Sequence, residues 1–182
     1  VGTRTATFNL DPGETVTCNF TNTKRAQIFI EKETFPSGDL QIFGFTLKGG
    51  PSGLNQGFDL TDGGQHYSGF VIPGSGYVAE EPEPKGKDGR PDWDLTGISC
   101  VSSLGHNGFT YSGTAATIDA QVGDEVTCTF TNTKRGSIII VKDAMPDDPQ
   151  DFDFTITGGD FSTAFILDDD GDDTDNPRRT SC

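Results

Sequence analysis

Glu125-Val126-Thr127-Cys128-Thr129-Phe130-Thr131-Asn132-Thr133-Lys134-Arg135 is the stretch that decides the fold, because the chain carries it twice. Thr15-Val16-Thr17-Cys18-Asn19-Phe20-Thr21-Asn22-Thr23-Lys24-Arg25 is nearly the same sequence 110 positions earlier. In each copy Val, Cys, Phe and Asn alternate with mostly threonine, the period-two pattern of a strand with one face turned inward. An apolar run ending in lysine follows each copy: Gln27-Ile28-Phe29-Ile30-Glu31-Lys32 and Ser137-Ile138-Ile139-Ile140-Val141-Lys142. A strand that closes one unit, followed by a strand that opens the next, marks a tandem-repeat chain.

Working outward, each closing strand is preceded by a turn and a second alternating run. Ala6, Phe8 and Leu10 lead to Asp11-Pro12-Gly13-Glu14, so residues 4–25 are expected to form a hairpin. Ala116, Ile118 and Ala120 lead in the same way to Gln121-Val122-Gly123-Asp124. Residues 26–135 then hold everything one β-sandwich needs, with strands expected around 28–32, 41–47, 57–60, 70–72, 77–81 and 93–100. Residues 82–91 and 102–113 read as loops. From 136 the opening repeats: Gln150-Asp151-Phe152-Asp153-Phe154-Thr155-Ile156-Thr157-Gly158-Gly159 follows 41–50, and Ala164-Phe165-Ile166-Leu167-Asp168 follows 57–61. Thr180-Ser181-Cys182 echoes Ile98-Ser99-Cys100.

The expected organisation is therefore a closing hairpin at 1–25, a complete unit at 26–135 and the first half of a second unit at 136–182. The hairpin should complete the second unit of the preceding copy, since the first and last strands of the intact unit should leave it at opposite ends. Identical copies would join head to tail, by strand complementation or by covalent continuation in a longer polypeptide. Contacts of that kind do not close on themselves and build filaments.

Composition supports short strands and turns. The 182 residues include 24 Gly and 14 Phe, with low apolar content. A formal charge of -15 argues against nucleic acid or an anionic membrane as partner and favours cations. No apolar run approaches the ~20 residues of a membrane span, and no signal peptide is evident, so the sequence reads as a mature or excised segment. Four Cys without CxxC spacing, beside two His, argue against zinc and fit disulfides in an oxidising, extracellular setting. His66 and His106 sit in Gly-rich surroundings and read as surface residues, and no Ser or Cys has a nucleophile's context, so catalysis is not expected. Asn19-Phe20-Thr21 matches a glycosylation sequon.

The Ser-Ile-Ile-Ile-Val-Lys opening, Tyr77-Val78-Ala79-Glu80-Glu81-Pro82, Trp93-Asp94-Leu95-Thr96 and the closing Val-Thr-Cys-Thr-Phe-Thr-Asn-Thr, in that order, resemble the prealbumin-like, collagen-adhesin B-type (SpaA-like) repeats of bacterial surface proteins. The resemblance covers essentially the whole chain. It implies an all-β fold of tandem immunoglobulin-like sandwiches, structural work outside the cell, and no enzymatic activity. It also implies an isopeptide cross-link among Lys32, Asn132 and either Glu80 or Glu81. Strand parity agrees, since Lys32 shares a face with Ile28 and Ile30, and Asn132 with Phe130 and Cys128. Cys100 and Cys128 read as a disulfide within the unit, closing a loop of about thirty residues worth ~3–4 kcal/mol. By the same logic Cys18 pairs with Cys182 of a neighbouring copy.

Residues 143–176 hold twelve Asp and no Lys, Arg or Glu. Pairing 151–157 against 163–168 would bring the two clusters to one end, and crowded carboxylates invite a hard cation. Asp147, Asp148, Asp151, Asp168, Asp170 and Asp172 are the candidate ligands, with calcium as the expected ion. The leading expectation is a structural subunit of an extracellular filament or cell-surface stalk. The alternatives are an adhesin or ligand-binding module using residues 82–91 or 102–113, and a carbohydrate-binding domain using Trp93 and Tyr77.

Overall fold

A computed structural model describes residues 5–82, 92–138, 140–146, 150–158 and 161–167. Its secondary structure is all β: β1 (Ala26–Phe35), β2 (Phe43–Gly49), β3 (Leu54–Leu60), β4 (Gln65–Val71), β5 (Gly74–Glu80), β6 (Trp93–Ser102), β7 (Phe109–Ser112), β8 (Ala115–Ala120), β9 (Glu125–Lys134), β10 (Phe152–Gly158) and β11 (Phe161–Leu167). One sheet has the order β4-β1-β9-β6 and the second β3-β2-β5-β8-β7, while β10 and β11 pair by themselves.

The duplicated sequence lies at the centre of this architecture. β9 alternates buried and half-buried residues along its length, with Val126, Cys128, Phe130 and Asn132 inward. β1 does the same with Ala26, Ile28, Ile30, Lys32 and Thr34. The two run side by side in parallel, from Gln27 opposite Glu125 to Phe35 opposite Thr133. The chain therefore enters the sandwich at Ala26 at one end and leaves at Lys134 at the other. Ten-residue strands make that axis roughly 33 Å long.

Aromatic rings fill the space between the sheets. Phe45 meets Phe130 edge-on at 5.3 Å, and Phe43 meets Trp93 edge-on at 5.6 Å. Edge-to-face contact sets the positive ring edge against the negative face of its partner. Tyr77 closes one end, donating to the Ile72 carbonyl at 2.6 Å. Its ring lies so near Gly50 (φ 63°) that a Cβ there would come within 2.2 Å. Trp93 and Tyr77 are both buried, which removes them as an exposed carbohydrate platform.

The β10–β11 hairpin repeats β2–β3 in register. Phe45 faces Phe58 and Phe43 faces Leu60 in β2–β3; Phe154 faces Phe165 and Phe152 faces Leu167 in β10–β11. Elsewhere the expectations need correcting. Residues 5–25 form no strand hairpin, only a turn closed by the Glu14 amide on the Asp11 carbonyl at 3.1 Å. Described residues of the 137–142 opening are also outside any ladder. The cause is the place such strands occupy. β9 lies between β1 and β6 and needs both, whereas Val16 and Phe20 of the earlier copy are exposed. Alternation prepares a face, but a ladder needs a partner. The loop expected at 102–113 also contains the short strand β7.

Candidate functional site

Where β1 and β9 near their exits, the alternation that buries Ile30 and Phe130 also buries Lys32 and Asn132. Lys32 Nζ donates to Asn132 Oδ1 at 3.1 Å, to the Phe130 carbonyl at 3.0 Å and to the Glu33 carbonyl at 2.7 Å. It also stands 4.4 Å over the Phe43 ring. Glu81 arrives from the residue after β5 in the opposite sheet and is likewise buried. Its Oε1 accepts from Asn132 Nδ2 at 2.6 Å, while Oε2 stands 3.8 Å from Lys32 Nζ and has no hydrogen-bond partner. Of the two candidate glutamates, the structure brings in Glu81. Tyr77, Ala79 and Glu81 face inward, and Glu80 is half-buried on the other side. Sequence left the choice open because Val78, outward here, is as apolar as its neighbours.

Burial sets the electrostatics of this trio. It pushes the Lys32 amine below its ordinary value, against the attraction of Glu81, Asp62 and Glu33. It pushes the Glu81 carboxyl up, against Lys32 and the Asn132 hydrogen bond. Both shifts favour a neutral amine beside a neutral carboxylic acid, because an apolar interior penalises charge. A neutral amine is a nucleophile, and Asn132 offers it a carboxamide carbon one bond from the oxygen it touches. Glu81 touches the leaving nitrogen with one oxygen and faces the amine with the other, the placement of a proton relay.

A disulfide secures the other flank of β9. Cys100 on β6 is bonded to Cys128, directly opposite in the antiparallel register, with Cα atoms 4.0 Å apart. Cys18 is an exposed free thiol, and Cys182 lies outside the described residues. Lys142 repeats part of the Lys32 arrangement: it donates to the Asp143 carbonyl at 3.0 Å and stands 4.5 Å over Phe152. Asn22, the match of Asn132, is exposed.

At the opposite end, a buried Asp124 in the β8–β9 turn was not foreseen. Its Oδ1 accepts from Ser102 at 2.8 Å and Ser103 at 3.0 Å, and its Oδ2 from His106 Nε2 at 2.6 Å. The Gly108 amide donates to His106 Nδ1, which leaves the proton on Nε2. Burial raises the cost of the Asp124 charge, yet the three donors together hold its carboxyl below the ordinary range. His106 is thus a structural partner rather than a surface residue. His66 is half-buried too, stacked 3.6 Å from the Phe58 ring. Nothing in sequence flagged this cluster, since its members are ordinary turn residues joined only by folding.

Among the proposed calcium ligands, Asp151 is exposed, and Asp147, Asp148, Asp168, Asp170 and Asp172 lie outside the described residues. Among the described residues no three His, Cys, Asp or Glu side chains are grouped to hold a metal. No helix among them is long and apolar enough to cross a membrane.

Two packed antiparallel-rich sheets with their first and last strands in parallel contact define a β-sandwich of prealbumin type. The chain belongs to the prealbumin-like fold domain family, whose model matches residues 28–134. Among solved structures it is similar to a bacterial adhesin from Mobiluncus mulieris containing intramolecular disulfide, isopeptide and ester bond cross-links, at 15% identity, TM-score 0.41, over 58% of this chain and 40% of that one. It is similar also to the major pilin from Streptococcus pyogenes, at 15% identity, TM-score 0.37, over 61% of this chain and 48% of that one. The alignments thus span less than half of those proteins. No curated protein matches the sequence.

Proposed function

We propose that this chain is a load-bearing structural segment of an extracellular filament or cell-surface stalk, whose sandwich is locked by an amide between Lys32 and Asn132. The buried contact of amine, carboxamide and Glu81 carries the reading. Glu81 Oε2 takes a proton from the Lys32 ammonium, and the neutral Nζ attacks Asn132 Cγ. Glu81 then gives its proton to Nδ2 and accepts one of the two protons left on Nζ, the Cγ–Nδ2 bond breaks, and one ammonia leaves. No oxidant or co-reactant is needed. With the disulfide, β9 becomes covalently joined to both strands beside it.

The tandem sequence supports the assembly. A closing motif precedes β1 and an opening motif follows β9, so each unit is followed head to tail by another, through strand complementation between copies or in one polypeptide. Residues 15–25 complete a unit whose opening resembles 136–167, and Cys18 pairs with Cys182 there. Calcium on the Asp-rich segment at 143–176 stiffens the second unit; a melting temperature that does not rise with calcium would reject that part.

Intact-mass measurement tests the cross-link. The reduced chain should weigh one ammonia less than its sequence, with a branched peptide joining Lys32 to Asn132. Glu81→Gln should restore the full mass. A wild-type chain of full mass would refute the amide.

A further inference from the structure

We infer that Met145 of one copy seats on the entry end of the 26–135 sandwich of the next copy, against Ile72, Leu104 and Val122. The inference deepens the tandem reading above and rests on it. Ile72, Leu104 and Val122 are exposed by 39%, 55% and 56%. They stand on three connections gathered around the start of β1. Ile72 follows Val71, which is paired with Ala26. The Ser103 amide, beside Leu104, donates to the Glu125 carbonyl at 2.9 Å. The Gln27 amide donates at 2.9 Å to the carbonyl of Asp124, in the turn that carries Val122. Gly74 of β5 pairs with Ala120 of β8, so Ile72 and Val122 each lie two residues from one cross-strand pair.

Register names the occupant. Phe35, the last residue of β1, lies opposite Thr133 of β9. The second unit repeats both strands at the same offset. Lys142-Asp143-Ala144-Met145-Pro146 matches Lys32-Glu33-Thr34-Phe35-Pro36, so Met145 stands where Phe35 does, and Thr23 stands where Thr133 does. Met145 of one copy therefore lies beside Thr23 of the next, one strand spacing of ~4.8 Å away. Only Lys24 and Arg25 separate Thr23 from Ala26, a reach of at most ~11 Å. Lys24 sets the direction of that link, because its side chain lies against the β8–β9 turn, where a Cβ at Gly123 would come within 2.8 Å of its Cδ. The residue beside Thr23 thus stands over the turn that carries Val122. Met145 is 95% exposed, and its flexible thioether chain suits an irregular apolar socket. The Asp residues around it meet opposite charge. Lys134 pairs with Asp39 of the β1–β2 connection at 2.7 Å, and Lys24, its match, brings the same charge to the Asp-bearing 143–151 connection of the preceding copy. Apolar groups held that close lose less by meeting than by facing water. The contact joins unlike faces and propagates along the axis.

Sedimentation velocity of the full chain over a concentration series tests the contact, in a C18S/C182S background so that no disulfide joins copies. The parent should self-associate end to end. M145E, beside Asp143, and V122K, beside the Lys24 side chain, should each associate at least about tenfold more weakly, since each sets a charge in an apolar contact next to like charge. M145E/V122K in one chain should recover most of that loss, because every junction then opposes the two new charges. T117E, at an exposed position within β8, should behave as the parent. The altered residues are exposed, so every variant should melt as the parent does. A parent that associates, with single variants that match it, would overturn the inference and leave the head-to-tail assembly standing. A double variant as weak as the two losses added would show that Met145 and Val122 do not meet, and would overturn it as well. A parent that stays monomeric throughout would overturn assembly between copies and this contact with it, while leaving the amide to stand or fall on its mass.

Discussion

Tension applied along a stalk would reach this sandwich at Ala26 and leave it at Lys134, at opposite ends of adjacent parallel strands. Without a cross-link the load shears the β1–β9 ladder, and once that fails the intervening chain pays out. With the Lys32–Asn132 amide the load crosses from β1 to β9 directly, and the 100-residue separation between those positions is bypassed. Asn132→Ala removes the carboxamide, and Glu81→Gln keeps the shape while removing the proton relay. Either variant should release most of the bypassed chain. Since the disulfide still encloses a separation of 28 residues, the unfolding step should be roughly 250 Å at ~3.5 Å per residue. Reducing the disulfide should add about 100 Å to that step. Single-molecule force spectroscopy on the full chain, held at its termini, measures both. The wild type should show no such step under reducing or oxidising conditions. A wild-type trace with the same step as Asn132→Ala would refute the force path and the amide together.

Three further outcomes are expected. Cys100→Ser with Cys128→Ser should lower unfolding free energy by about 3–4 kcal/mol, the loop-closure value for this separation, in urea titrations against the oxidised parent. Gly50→Ala should cost about 2 kcal/mol or more, because the new Cβ meets the Tyr77 ring and the backbone keeps a positive φ; thermal melting checks it, and an unchanged melting temperature would contradict the close approach. Asp124→Asn should flatten the acid limb of stability. A carboxyl held low in the folded state stabilises fully above its unfolded value near ~3.9 and loses that contribution as pH falls through the folded value. The variant should therefore melt lower at neutral pH but lose less as pH falls below about 4, and parallel profiles for the two proteins would reject the assignment.

Much of this was legible in the residues alone. Alternation in Val126, Cys128, Phe130 and Asn132 determined that β9 is a strand and which face is inward, because successive side chains of a strand must point to opposite sides. The same parity placed Lys32 inward, so a lysine and an asparagine in the core were foreseeable before any contact was known. The Cys100–Cys128 pairing followed from both lying on strands of one unit, and the β10–β11 hairpin from its match to the residues of β2 and β3. What only the tertiary structure decided concerns partners. Glu81 rather than Glu80 reaches Asn132 because β5 stands opposite β9 across the core, and no local pattern says which of two adjacent glutamates that crossing selects. Asp124 gains Ser102, Ser103 and His106 because two loops share one end of the sandwich. Residues 15–25 carry nearly the β9 sequence and form no strand, since a sequence specifies the face a strand presents, while its hydrogen bonds must come from neighbours that folding brings or withholds.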